Sequence, residues 1–188
     1  ENLVTEAGYA DYYKDPYYDT YFTQAAGHNT VLVNGDPASQ EVADTLAFSA
    51  LHQYPKISSV VTSMDFDAVA SELQQVYRGR LERFTRRIAF IKPDYLIVYD
   101  ELIPKERESF DWLLHLPDSA RIETTADTAV YTGRTASLAV RFLSPAALKL
   151  SVTNGHLPYS TFNPVAPAHV PMQPAILNLR LVNQQLKI

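Results

Sequence analysis

The feature that most constrains the fold of this chain is a pair of apolar runs joined by a proline-containing turn. Residues 87–91 (Arg-Ile-Ala-Phe-Ile) and 95–100 (Tyr-Leu-Ile-Val-Tyr-Asp) are rich in β-branched and aromatic side chains, which favour strands. Between them lies Lys92-Pro93-Asp94, where Pro93 fixes φ as a turn requires. The pattern predicts a β-hairpin.

Further short apolar runs follow the same pattern along the chain. Residues 30–33 end at Asn34-Gly35, a pair that readily adopts the positive φ of tight turns. The proline-rich stretch 158–174 is excluded as a central strand. Many short strands separated by turn residues predict an all-β fold, an antiparallel β-sandwich of two layers. The other predicted strands are 110–116, 129–132, 138–143, 148–153 and 176–182.

One segment fits two structures. Residues 67–77 contain good helix formers, which favour a helix of about three turns. Alternate residues in the same stretch, such as Val69 and Leu73, also suit one face of a strand. We favour a strand because the rest of the sequence predicts a sheet.

Length and charge exclude several protein classes. The chain has 188 residues and a formal net charge of −5, and it contains no cysteine. The length predicts one domain, residues 1–188. The absence of cysteine rules out disulfides, thiolate metal sites and a cysteine nucleophile. The longest basic run is Arg86-Arg87 and no apolar stretch is long enough to span a bilayer, so we expect neither nucleic-acid nor membrane binding.

Local motifs predict no catalytic residue. No two of the five histidines lie within four positions of one another, and no Gly-x-Ser-x-Gly motif is present. His28 lies where an irregular loop enters a strand, a position from which an imidazole can face a cleft or bond a nearby carbonyl or carboxylate. His115 is interpreted as a sheet histidine with satisfied hydrogen bonds.

A tyrosine-rich tract precedes His28. It includes Tyr9, Tyr12, Tyr13 and Tyr17. These rings can pack over the edge of a sheet, or they can form a wall that stacks on and hydrogen-bonds to a sugar-like ligand.

Three stretches carry a resemblance to a known family. Residues 27–35 (Gly-His-Asn-Thr-Val-Leu-Val-Asn-Gly), 86–100 and 112–115 match in order and approximate spacing. The chain resembles, over roughly residues 3–117, the C-terminal half of heparinase II/III-like polysaccharide lyases, a group that includes alginate and oligoalginate lyases. The resemblance implies the β-sandwich part of a longer enzyme, truncated at its N-terminal side, and the start at Glu1 without Met agrees with this.

In this family an α/α toroid precedes the sandwich, and a uronate-containing polysaccharide is cleaved by β-elimination in the cleft between them. The family's Tyr and His acid/base groups lie in the toroid and in an H-x-H segment upstream of Glu1. The resemblance therefore implies that this chain lacks catalytic residues and is inactive alone. The alternative from another class is a non-catalytic carbohydrate-binding or structural β-sandwich module.

The resemblance also implies a structural zinc site. Its ligands in the family are the second His of H-x-H, an acidic residue in an Asp-x-Gly-Tyr-like string, and the His of His-Asn-Thr. His28 matches the last of these, and Glu6 takes the acidic position in Glu6-Ala7-Gly8-Tyr9. Because Glu replaces Asp and one His is missing, we predict zinc in the full-length protein but weak or absent binding by this chain.

The expected partners follow from the same resemblance. They are an acidic polysaccharide or oligosaccharide, contacted by the tyrosine tract and by Arg78 or Arg80, and the toroid of the same protein. Strand edges left without the upstream segment predict a homodimer of the chain. Family habit places the protein in the periplasm or outside the cell. The particular uronic acid and endo or exo action stay open.

Overall fold

The computed structural model describes residues 1–6, 18–41, 55–117, 119–143, 149–154, 175–182 and 186–187. In these residues the secondary structure is strand, apart from four single helical turns. Every strand pairing with a defined register is antiparallel. The all-β, antiparallel prediction is therefore confirmed. No helix among these residues has the length and apolar character needed to cross a bilayer.

The strands and turns have the following bounds. The strands are β1 (Val31–Val33), β2 (Lys56–Thr62), β3 (Phe66–Glu72), β4 (Leu81–Ile91), β5 (Tyr95–Pro104), β6 (Ser109–Leu116), β7 (Ile122–Thr124), β8 (Thr128–Thr132), β9 (Ser137–Arg141), β10 (Lys149–Asn154), β11 (Ala175–Val182) and β12 (Leu186–Lys187). A π-helical turn spans Tyr18–Phe22, and 3-10 turns span Ala25–Gly27, Gln74–Val76 and Ser119–Arg121.

The chain divides into two compact units. The first unit contains Glu1–Ser39, Ser109–Leu143 and Ala147–Leu181, and the second contains Gln40–Glu108, Ser144–Ala146 and Val182–Ile188. The first unit holds a sheet of order β1-β6-β11-β10 and a sheet of order β7-β8-β9. The second unit holds a sheet of order β12-β5-β4-β3-β2. The prediction of a single domain over 1–188 stays a prediction.

The predicted hairpin is present in the second unit as β4 and β5. Residues Ile91 and Tyr95 pair across the turn, and the Asp94 N–H donates to the Ile91 carbonyl at 3.1 Å. Further along the hairpin, Phe84 and Leu102 lie opposite each other and are fully buried. Burying side chains of this size stabilises a fold by about 1.5–3 kcal/mol each.

Residues 67–77 form a strand first and a helical turn afterwards. Asp67 to Glu72 belong to β3, which pairs with β4, so the strand prediction is confirmed for that part. The strand ends because Leu73 leaves the extended conformation (φ −122°, ψ −9°) and the 3-10 turn follows. Tyr77, directly after this turn, is fully buried, and its ring meets Phe84 edge-on at 5.3 Å.

The turn at Asn34-Gly35 has the expected backbone but joins no hairpin. The φ values are 57° and 68°, in the left-handed region that this pair favours. However, β1 pairs with β6, whose residues lie far away in the sequence, with Val33 opposite Phe110. The Asn34 side-chain oxygen starts this pairing by accepting the Ser109 N–H at 2.9 Å.

The core of the first unit surrounds β1. Its three residues are buried, and Val31 and Val33 have no exposed surface. A second cluster, formed by Tyr21, Ala25, Ala26, Leu32 and Leu113, packs the Tyr18–Phe22 and Ala25–Gly27 turns against this strand and β6. The core thus fixes the backbone on both sides of His28.

Candidate functional site

The site is built where the loop before β1 meets β6. The Leu113 N–H donates to the Thr30 carbonyl at 2.9 Å, which extends the β1–β6 pairing toward the loop. His28 follows the buried turn Ala25–Gly27, and its N–H donates to the Ala25 carbonyl at 3.1 Å. A buried turn on one side and a buried strand on the other therefore hold residues 28–30.

The first residues of the chain come to the same place. Thr5 forms an isolated antiparallel bridge with His115, and its N–H donates to the His115 carbonyl at 3.0 Å. Glu6 is the next residue, so its carboxylate reaches the loop that carries His28. This contact joins residues that are 22 positions apart.

Glu6 and His28 form the half-exposed pair at the centre of the site. The distance from His28 Nδ1 to Glu6 Oε2 is 2.9 Å, and the exposed fractions of the side chains are 48% and 51%. The two metal-ligating residue types implied by the resemblance thus lie in direct contact. Their assignment as metal ligands stays a prediction.

Asn29 connects this pair to the sheet. Its Nδ2 donates to the Thr5 carbonyl at 2.8 Å and to Glu6 Oε1 at 2.9 Å. Its Oδ1 accepts the His115 backbone N–H at 2.7 Å and lies 3.1 Å from His115 Nδ1. The Thr5 carbonyl and the Glu6 carboxylate can only accept, so the amide atom that faces them is the nitrogen. The His115 N–H can only donate, so the amide atom that faces it is the oxygen.

These contacts fix the tautomer of His115. Because Asn29 Oδ1 is an acceptor, the ring proton lies on His115 Nδ1. His115 has no exposed surface, and the Ala26 backbone is a second hydrogen-bonding neighbour of its ring. These contacts agree with the interpretation of His115 as a sheet histidine with satisfied hydrogen bonds.

Burial lowers the pKa of His115. The Glu6 carboxylate and the Ala26 backbone oppose this shift, while His28 adds to it. Burial also raises the pKa of Tyr21, and the charge of Glu6 contributes in the same direction. The charge of Glu6 therefore affects the pKa of both His115 and Tyr21.

The described residues form no complete zinc site. A structural zinc has four ligands, and no group of three metal-ligating side chains occurs in the described parts of the chain. Both Glu6 oxygens already accept hydrogen bonds or face His28. Glu6 and His28 are of residue types that can bind zinc, and their assignment to such a site stays a prediction.

Of the other predicted site residues, Arg78 and Arg80 are among those that the structure describes. Tyr9, Tyr12, Tyr13 and Tyr17 fall outside the described residues. Arg78 and Arg80 belong to the second unit, where Arg78 is exposed and has a φ of 53°. Sequence reasoning missed the linking role of Asn29, because its partner His115 lies 86 positions away. The only available signal was its place in the His28-Asn29-Thr30 string.

Comparison with known proteins agrees with this architecture. Residues 1–170 match the family model described as "Heparinase II/III-like, C-terminal". Heparan sulfate lyase HepC from Pedobacter heparinus and a mutant of it each match with a TM-score of 0.74 and 14% identity. A heparinase III gene product matches with a TM-score of 0.72 and 12% identity. The comparison with curated proteins gave no match.

The structural matches cover nearly all of this chain but a small part of the others. They include 98% of this chain, 27% of the HepC mutant and 26% of the other two proteins. The chain therefore spans about a quarter of the length of these structures. At this identity the likeness shows the fold, and the predicted antiparallel β-sandwich class is confirmed.

Proposed function

Because this chain belongs to the heparinase II/III-like family as a C-terminal region, we propose that it is the β-sandwich part of a lyase that cleaves a uronate-containing polysaccharide. The family match over residues 1–170 is the observation that carries the proposal. Structures of heparan sulfate lyases that share the fold support it. Heparan sulfate is therefore the first substrate to test, and alginate is the second.

The proposed reaction is β-elimination. A base removes the C5 proton, the C–H electrons form the C4–C5 double bond, the C4–O bond breaks, and an acid protonates the departing oxygen. Neutralising the uronate carboxylate stabilises the enolate-like charge that develops, and this kind of electrostatic stabilisation is commonly the largest catalytic contribution. We assign the acid and the base to the α/α toroid and its adjoining segment, and no catalytic residue to this chain.

The proposed contribution of this chain is one wall of the substrate cleft. Tyr9, Tyr12, Tyr13 and Tyr17 would stack on sugar rings and donate hydrogen bonds from their hydroxyls. Arg78 or Arg80 would pair with a carboxylate, since the planar guanidinium can donate two parallel hydrogen bonds. The partners in this proposal are an acidic polysaccharide or oligosaccharide and the toroid, and the location is the periplasm or the extracellular space.

In the full-length protein, His28 and Glu6 would supply two ligands of a structural zinc. Their 2.9 Å contact supports this, because a single ion can replace the hydrogen bond between them. Two ligands alone give weak or absent binding by residues 1–188. Calorimetric titration of the chain with Zn²⁺ tests this, and tight stoichiometric binding that His28→Ala abolishes would contradict it.

Binding of polysaccharides by residues 1–188 tests the proposed wall. We expect the chain to bind heparan sulfate but not neutral dextran, and the double variant Tyr9→Ala/Tyr12→Ala to bind several-fold more weakly. The matched control is Tyr95→Ala, since Tyr95 is a 68% exposed tyrosine in the second unit. If the chain binds heparan sulfate and dextran equally, and the Tyr9→Ala/Tyr12→Ala variant binds them as the wild type does, a general carbohydrate-binding module is favoured instead.

A further inference from the structure

The turn between β8 and β9 holds the carboxylate of Glu1. The Arg134 N–H donates to Glu1 Oε1 at 2.6 Å, and the Thr135 N–H donates to Oε2 at 2.6 Å. The Thr135 hydroxyl donates to Oε2 as well, at 2.9 Å. Each carboxylate oxygen therefore receives a backbone N–H, and hydrogen bonds to an ionised acceptor are roughly twice as strong as neutral ones.

Gly133 makes room for this carboxylate. A Cβ atom at position 133 would lie 2.8 Å from both Cδ and Oε1 of Glu1 and 2.7 Å from the Ala136 carbonyl oxygen. These distances are shorter than real contacts of a Cβ atom, so any side chain here would displace Glu1 or distort the turn. The turn thus combines two N–H donors, a hydroxyl and a space without a side chain.

The hydrogen bonds also keep the group charged. The backbone N–H groups of Arg134 and Thr135, followed by the Thr135 hydroxyl, lower the pKa of Glu1 from 4.5 to about 2. Backbone N–H groups that converge in a turn are a common way for proteins to bind an anion.

Two of the contacts that join residues 1–6 to the rest of the first unit lie four positions apart. One is the Glu1 carboxylate at residues 133–136, and the other is the bridge from Thr5 to His115. Glu6 follows Thr5 directly and contacts His28 and Asn29. The placement of Glu6 thus depends on a short segment whose two ends are bound to different sheets.

We propose that the turn at 133–136 is a carboxylate receptor, that Glu1 is its ligand, and that this contact positions Glu6 against His28. Glu1 is then a positioning residue for the Glu6–His28 pair. The inference goes beyond the proposed lyase function and does not depend on it, because it concerns contacts within the first unit only.

Nuclear magnetic resonance on residues 1–188 tests the positioning role. In Glu1→Gln we expect several-fold faster hydrogen exchange of the Thr5, Arg134 and Thr135 amides, and loss of the proton–proton contact between residues 6 and 28. The control is Glu123→Gln, the same change at an exposed position of β7 in the same sheet. Unchanged exchange and an intact 6–28 contact in Glu1→Gln, or the same losses in the control, would overturn the proposal.

A second measurement tests the receptor itself. In Glu1→Ala the turn is vacated, so added acetate should shift the Arg134 and Thr135 amide resonances. In the wild type acetate should leave them unchanged, because an attached carboxylate has a high effective concentration. Shifts of equal size in both proteins, or in neither, would show that the turn is no carboxylate receptor.

Discussion

Asn29 uses both donors and the acceptor of its side-chain amide to hold three segments together. Thr5, Glu6 and His115 are its partners, and each belongs to a part of the chain far from residue 29. A small polar side chain thus fixes the geometry of the half-exposed Glu6–His28 pair. The orientation of this pair is a property of Asn29 as much as of the two residues themselves.

Replacing Asn29 by Asp tests this role at constant size. The new carboxylate oxygen would face the Thr5 carbonyl and Glu6 Oε1, where Nδ2 now donates. We expect a loss of about 1–3 kcal/mol in unfolding free energy, because two acceptors lose their donor. Urea unfolding measures it. The matched control is Asn2→Asp, the same charge change at an exposed position near the same end of the chain; equal effects of the two variants would contradict this role.

His115 predicts a pH dependence of stability. Burial lowers the pKa of His115 in the folded chain. At a pH between the folded and the unfolded pKa, the ring is therefore protonated in the unfolded chain and neutral in the folded chain. The stability that neutral His115 contributes is fully present above its ordinary pKa of 6.5 and is lost as the pH falls below that pKa. The unfolding free energy of the wild type should therefore decrease more steeply below pH 6.5 than that of His115→Gln, with similar slopes at alkaline pH. Identical slopes in acid would contradict the prediction.

Sequence reasoning found part of this site. His28 and Glu6 came from the resemblance, and the structure brings these two residues into contact. The roles of Asn29 and His115 were not visible, because the register of β1 against β6 decides which residues 86 positions apart become neighbours. No local pattern encodes that register.

At the scale of single elements, the β4–β5 hairpin contains a buried ion pair. Arg86 and Asp100 lie opposite each other and form two hydrogen bonds of 2.7 Å, with 16% and 1% of their side chains exposed. Burial would lower the pKa of Arg86, but the hydrogen bonds and charge of Asp100 outweigh it and raise that pKa. The pair holds the two strands together where the hairpin enters the core.

We expect Asp100→Asn to destabilise the chain by about 3–5 kcal/mol, because it removes the carboxylate that makes two hydrogen bonds of 2.7 Å to the buried Arg86. Glu101→Gln is a matched control, since Glu101 is the next residue on β5 and pairs with the half-exposed Arg83 and Arg87. A clearly smaller loss is expected for the control. Denaturant unfolding compares the two variants, and equal losses would contradict the assigned role of the buried pair.

Local signals explain which elements were predictable. The hairpin combines Pro93 with strongly β-forming runs, so sequence alone located both strands. In contrast, β2 (Lys56–Thr62) was missed, because Ser58 and Ser59 interrupt its apolar residues and a bulge shifts its register there. Residues 67–77 fitted two patterns, and pairing with β4 decided in favour of a strand over the first part.

At the scale of the whole molecule, the predicted homodimer directs attention to the exposed strand β2. It is the last strand of its sheet in the described part of the chain, and its seven residues are exposed. Val60 and Val61 point to opposite faces and are 65% and 48% exposed. An edge strand with apolar groups on both faces can pair with the same strand of a second copy.

The predicted homodimer should therefore depend on β2. We expect Val60→Lys to shift residues 1–188 toward the monomer in light scattering, because the charge opposes strand pairing. Met64→Lys adds the same charge at an exposed position outside the strand and should have a smaller effect. A monomeric wild type at high concentration, or equal effects of the two variants, would argue against association through β2.

The fold class was predictable for the whole chain, since short strands and turns recur along its length. The division into two units was not, because the first unit combines segments as distant as residues 1–39 and 109–143. The division depends on which distant strands pair with each other, and amino-acid composition does not predict that pairing.

Whether this chain is the non-catalytic part of a lyase is tested by the ultraviolet absorbance of the unsaturated uronate that β-elimination produces. We predict that absorbance rises when the full-length protein meets heparan sulfate or alginate, and that residues 1–188 alone produce no rise. Cleavage of either polysaccharide by residues 1–188 alone would contradict the proposal that this sheet structure is the non-catalytic part of a lyase. A full-length protein that cleaves none of the uronate polysaccharides tried would contradict it as well.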